Sequence, residues 1–111
     1  MHIKKRGKII DVGNVKKVNF FGEIIGLMFS RREKANSLLF EFKKPTKMKI
    51  HSYFVFFPFI AIWLDEENNI LDLREIKPFK TSNGIKKSYY KLIEIPINGR
   101  NKRIIGLLVG N

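Results

Sequence analysis

The chain has no cysteine and no glutamine, only two alanines, and ten acidic side chains against 22 lysines and arginines. Without cysteine there is no disulfide, no thiolate nucleophile and no cysteine-ligated metal, so the 111 residues must fold on one hydrophobic core. A chain of this size that needs no disulfide is expected in the cytoplasm. No cofactor signature is present. The longest uncharged run, Ile50 to Leu64, has 15 residues, contains His51 and Pro58, and falls short of the roughly 20 a membrane-crossing helix requires. Lys4, Lys5, Arg6 and Lys8 open the chain, but Asp11 and the polar stretch Asn14 to Asn19 stand where an export signal would carry its apolar run. Repeats, low-complexity tracts and Pro/Gly-rich linkers are also missing, so residues 1–111 read as a single domain.

What is there is enough for a packed interior: 44% of residues are hydrophobic and 13% aromatic. The net charge of +12 has two readings. It favours a polyanion electrostatically, whether nucleic acid, anionic lipid or an acidic partner. It also follows from composition, because Ile, Lys, Asn and Phe make up 51 of the 111 residues, all with AT-rich codons. Abundant lysine with no glutamine also suits a thermophile. The compositional reading is the one expected, with the bases spread over the surface, some facing an acidic hairpin, and at most weak, salt-sensitive polyanion binding. A nucleic-acid binder would instead gather Lys43, Lys44, Lys47, Lys49, Lys86 and Lys87 on one face with Tyr89 or Tyr90 exposed between them.

Patterning predicts a mainly β fold. Short strands are expected at Ile9 to Asp11 and Val15 to Asn19, around the Gly13-Asn14 turn signal. Apolar residues at 20, 21, 24, 25, 27 and 28 predict a short helix over Phe20 to Phe29, and Ser37 to Phe42 reads as a strand. Lys43 to Lys49 reads as a basic surface connection, since Pro45 is out of place in a central strand. Tyr53 to Leu64 is expected at the buried centre, with Pro58 dividing Tyr53–Phe57 from Phe59–Leu64. The Asp65-Glu66-Glu67-Asn68-Asn69 turn then returns the chain into Ile70 to Ile76. Further strands are predicted at Ser88 to Ile95 and Arg103 to Val109, separated by Pro96 and the Asn98-Gly99 turn, and His2 is expected at a mobile end. Seven or eight strands imply a compact twisted antiparallel sheet or partly closed barrel with one or two short helices.

Three segments in order carry a family likeness. Gly26-Leu27-Met28-Phe29 with Arg31 or Arg32 precedes Leu38-Leu39-Phe40-Glu41-Phe42. His51-Ser52-Tyr53-Phe54-Val55-Phe56-Phe57-Pro58 leads into an apolar strand ending at Asp65. Lys77-Pro78-Phe79-Lys80 and Leu92-Ile93-Glu94-Ile95-Pro96 come last, with Gly99. From about Val18 onward this set resembles the domain of unknown function 192 family, an uncharacterised protein family, in its archaeal form. The resemblance implies a compact, largely β domain, found alone in archaea and behind export signals in bacteria, and no activity. The family's central signature carries an Arg and an Asp where this chain has Phe56 and Ile60. Paired loss of opposite charges is what a buried ion pair permits, because replacing both partners by apolar residues can be neutral while losing one is costly. On that argument Phe56 and Ile60 are expected to touch. Otherwise they mark a lost site.

Chemistry-bearing residues are few. His51 is the single internal histidine and is a candidate base or metal ligand, although a histidine opening an apolar strand more often serves structure. Five acids and one base between residues 65 and 75 make a hairpin of net charge −4, whose spacing matches no ion-binding loop and reads as a solvated turn. Glu94, between Ile93 and Ile95, needs a partner if buried, with Arg31, Arg32 or Lys80 as candidates. Together these point to a non-enzymatic binding or accessory domain for an unidentified ligand or protein partner. Its expected contact set is Arg31, Arg32, His51, Tyr53, Lys80, Tyr90 and Glu94, with no metal. The alternatives are a nucleic-acid binder using a basic and aromatic β surface, and a small hydrolase or metal-dependent enzyme around His51.

Overall fold

Runs that alternate apolar and polar, and one continuous apolar run, bounded by turn residues, become the strands. The computed structural model describes residues 1–18, 36–49, 57–78 and 84–110. Its strands are β1 (His2–Lys5), β2 (Lys8–Asp11), β3 (Lys16–Val18), β4 (Leu38–Thr46), β5 (Phe59–Leu64), β6 (Ile70–Ile76) and β7 (Tyr89–Pro96). A 3₁₀ turn at Gly99–Asn101 leads into the helix α1 (Lys102–Val109). β1 and β2 form a hairpin of their own, and the other five strands make one sheet in the order β3-β4-β7-β5-β6. The pair β3–β4 is parallel and the rest are antiparallel, so the sheet is mixed. Among the described residues it does not close into a barrel, because its order begins at β3 and ends at β6. No helix among the described residues is long and apolar enough to cross a membrane.

Every residue of β5 is buried, which suits a strand held between β6 and β7 and covered on both faces. One face of the sheet gathers Leu38, Phe40, Phe59, Ala61, Trp63 and Leu92. The other gathers Leu39, Ile60, Ile62, Leu64, Ile93 and Ile95, and Ile3, Val12 and Leu108 from the hairpin and α1 close over it. Burying side chains of this size is worth about 1.5–3 kcal/mol each, so these two layers supply the driving force for the fold.

Four expectations need correction. Arg103 to Val109 is helix, not strand. Its apolar run is short enough to fit either period, and the structure turns Ile104, Ile105 and Leu108 toward the core while leaving Leu107 and Val109 outside. The Asn98-Gly99 signal is a helix start, with Asn98 Oδ1 accepting from the Asn101 N–H at 3.0 Å. His2 is not at a loose end but in β1, where Arg6 and Gly7, with φ of +51° and +81°, make the left-handed two-residue connection that β hairpins favour. That hairpin is tied down: the Lys4 N–H donates to Asn68 O, Asn68 Nδ2 donates to His2 O, and Lys5 Nζ donates to Leu108 O near the end of α1. Finally, the strand that begins at Leu38 runs on through Pro45 to Thr46. Proline is accommodated because β3 pairs only with Leu38 to Phe40 and the register with β7 breaks between Glu41 and Thr46. The helix expected over Phe20 to Phe29, and Tyr53 to Phe56 of the expected centre, lie outside the described residues.

Candidate binding surfaces

Of the contact set expected from sequence, Arg31, Arg32, His51, Tyr53 and Lys80 lie outside the described residues, as does Phe56. Ile60 is buried in the second-face cluster. Tyr90 and Glu94 are both on β7 but in different surroundings. Glu94 is 4% exposed, opposite Leu38 on β4 and Ala61 on β5. A carboxylate so placed needs a partner, and Glu94 is engaged by one. Tyr90 is half-buried at an irregularity: Glu41 pairs with Lys91 and Thr46 with Tyr89, so Phe42, Lys43, Lys44 and Pro45 of β4 all face the single residue Tyr90 of β7. Such bulges push the longer strand outward and re-aim its side chains.

The same register brings two lysine clusters together. Beyond Thr46 the chain runs beside residues 84–89. Tyr89 Oη donates to Met48 O, and a Cβ on Gly84 would lie 2.8 Å from Lys49 Cγ, so the two segments run close enough that a larger residue at 84 would have to push the Lys49 side chain aside. Lys43, Lys44, Lys47, Lys49, Lys86 and Lys87 are all exposed. No acidic residue occurs in 42–49 or 84–90. None of the six lysines forms an ion pair or a side-chain hydrogen bond with the described residues. Phe42 meets Tyr89 edge-on, ring centroids 5.7 Å apart, and Tyr89 is buried, whereas its neighbour Tyr90 is partly exposed. The lysines are thus not spread evenly, although others do face acids or the acidic turn. Lys17 pairs with Glu41 at 2.8 Å, and Lys91 Nζ donates to Asn68 Oδ1.

Next to the bulge, the β5–β6 turn spends its charge internally. Asp65 Oδ1 accepts from the N–H groups of Glu67 and Asn69, and its Oδ2 from Asn69 Nδ2. Burial works against the ionised form of Asp65, but the Asn69 and Glu67 hydrogen bonds and nearby Lys4 outweigh it and hold the carboxyl below its usual value. Farther along the hairpin Arg74 donates to Asp72 and to Gly84 O, and its guanidinium lies 5.5 Å from the centroid of the Trp63 ring. Trp63 is fully buried, and its Nε1–H is the one buried side-chain polar atom without a hydrogen bond among the described residues. Sequence reasoning placed Trp63 in the buried centre and Asp72 and Arg74 in the acidic hairpin, but did not bring the three together. Counting back from the acidic turn would have paired them. Among the described residues no three His, Asp or Glu side chains converge as a metal site.

The chain matches the DUF192 family, described as Uncharacterized ACR, over residues 2–106, so the likeness begins at β1 rather than near Val18. No curated protein matches it. Among solved structures, a putative transcription regulator from Sinorhizobium meliloti has a TM-score of 0.73 at 18% identity, over 93% of this chain and 81% of that one. A protein of unknown function from Novosphingobium aromaticivorans has a TM-score of 0.65 at 13% identity, over 86% of this chain and 69% of that one. At these identities the likeness is one of fold.

Proposed function

The chain belongs to the DUF192 family, an uncharacterised group, and from that premise we propose that it is a non-enzymatic binding or accessory domain whose ligand is a polyanion held at the basic bulge of the sheet. One observation carries this reading: six exposed lysines stand together with no acid among them and no ion pair to the described residues. Like charges brought together repel, and an anionic ligand relieves that repulsion while gaining from the local positive potential. Edge protection is the competing account, since lysine and proline blunt exposed strands against aggregation. It covers Lys43, Lys44 and Pro45 on β4, but not Lys86 and Lys87, which precede β7 rather than standing on an edge strand.

Within the contact set expected from sequence, Tyr90 belongs to this surface, while Glu94 lies inside the sheet and serves the fold. The test is retention of heparin, a polyanion without bases. Binding is expected at low salt, falling steeply as salt rises, and lost when the six lysines are changed to glutamine. Binding that ignores either salt or those substitutions would remove the reading.

A further inference from the structure

We propose that the polyanion is a single-stranded nucleic acid, one base of which stacks on Tyr90 while Lys43 and Lys44 on one side and Lys86 and Lys87 on the other hold the flanking phosphates. This rests on the polyanion reading above and adds the identity of the ligand. Four residues of β4 lie opposite Tyr90 alone in the register, and Lys43 and Lys44 in that bulge are exposed while Tyr90 is itself partly exposed. Lys86 and Lys87 are exposed in the segment that leads into β7, on the other side of that ring along the chain. Its strand neighbour Tyr89 is fixed, packed edge to face with Phe42 and tied through Oη to Met48 O, so the backbone that carries Tyr90 is held in place.

A positively charged track with an accessible aromatic face is the arrangement that takes single strands: phosphates pair with the bases of the protein, and any nucleobase offers a π-face to the ring. A duplex keeps its bases stacked on one another and offers Tyr90 nothing. A bilayer surface is disfavoured because the exposed large apolar residues among those described, Ile9, Leu107 and Val109, sit on β2 and α1 and not among the residues of the bulge. The neighbouring turn bounds the footprint, since Glu66 and Glu67 are exposed at its tip and would repel phosphates.

The experiment measures fluorescence anisotropy of a labelled oligothymidylate of about 12 nucleotides, within the site sizes typical of such surfaces. Unlabelled duplex of the same length, heparin and phosphatidylserine vesicles serve as competitors. The single strand is expected to out-compete the duplex despite the duplex's higher charge density. If about four to six lysines contact phosphates, its affinity should fall roughly 50- to 300-fold between 50 and 200 mM salt. Tyr90→Leu, which keeps the bulk and removes the π-face, should weaken single-strand binding roughly 5- to 150-fold. It should weaken heparin binding far less than single-strand binding, because heparin offers no base to stack, and Tyr90→Phe should restore the single-strand affinity. Equal binding of duplex and single strand, tighter binding of vesicles, or indifference to Tyr90→Leu in a variant that melts like the parent would overturn the inference while leaving the polyanion reading in place. Absence of salt-sensitive binding to every probe would remove both.

Discussion

The acidic turn after β5 and the basic bulge between β4 and β7 stand side by side at one end of the sheet, and they use charge in opposite ways. Asp65 directs both carboxylate oxygens into its own turn, and Asp72 holds Arg74 over Trp63. The lysines of the bulge hold nothing among the described residues. A count of charges reports neither fact. Charge that is partnered belongs to the fold and should matter for stability, whereas charge that is gathered and unpartnered should matter for binding and hardly at all for stability.

The largest expected effect lies under the acidic hairpin. Trp63→Ala should cost about 3–5 kcal/mol in denaturant unfolding, by loss of transfer energy and the cavity left behind. Trp63→Phe should cost much less, because the indole N–H it removes has no hydrogen-bond partner to lose. If the two variants were equally unstable, the first-face cluster would not be packed around this ring.

Next is Asp65→Ala, expected to cost about 1–2 kcal/mol, since each lost turn hydrogen bond is worth about 1 kcal/mol net. The same group gives a pH signature. A carboxyl held below its usual value in the folded state contributes stability that is fully present above the unfolded value near 3.9 and is lost as pH falls through the folded one. Asp11, whose carboxylate accepts from the Gly13 N–H and lies near the amino terminus and His2, is lowered as well and acts in the same direction. Melting temperature should therefore fall as the solution is acidified below about pH 4, and less so in Asp65→Asn. A flat profile over that range would show the turn bonds to be idle.

Arg74→Met should be smaller, about 0.5–1.5 kcal/mol, because its pair with Asp72 is exposed and only the ring contact and the bond to Gly84 O add to it. Smallest of all for stability are Glu66→Gln and Glu67→Gln, within about 0.5 kcal/mol. They sharpen the comparison in another way. Removing these two charges beside the bulge should tighten polyanion binding, by an increment that shrinks as salt is raised. Unchanged affinity at low salt would mean that the ligand surface is elsewhere.

Much of the frame was legible in the residues themselves. β5 and β6 were readable to their ends, because a continuous apolar run, a cluster of turn residues and a second run leave one hairpin register. Family membership was legible from ordered short segments, though not its start, because β1 contributes one buried residue, Ile3, among basic neighbours. α1 was misread since seven mostly apolar residues do not distinguish a period of 3.6 from one of 2. Pro45 misled for a different reason: a proline argues against a central strand, but not against one that has left its neighbour. Both lysine clusters were visible in sequence. That they meet was not, because it depends on which strands pair across some forty intervening residues and on a bulge that no local signal announces. Arg31, Arg32, His51, Tyr53 and Lys80 lie outside the described residues, so the expected contact set is represented in the structure by Tyr90 and Glu94 alone, one at the surface and one inside.

The account turns on the claim that the bulge lysines serve binding and not folding, and one variant tests it directly. Lys43, Lys44, Lys47, Lys49, Lys86 and Lys87 are changed together to glutamine, and melting temperature and oligothymidylate affinity are measured on the same sample at 50 mM salt. The account predicts a melting temperature unchanged or slightly raised, because like-charge repulsion has been removed, with affinity reduced by at least two orders of magnitude. A variant that melts well below the parent, or one that binds as the parent does, would contradict it.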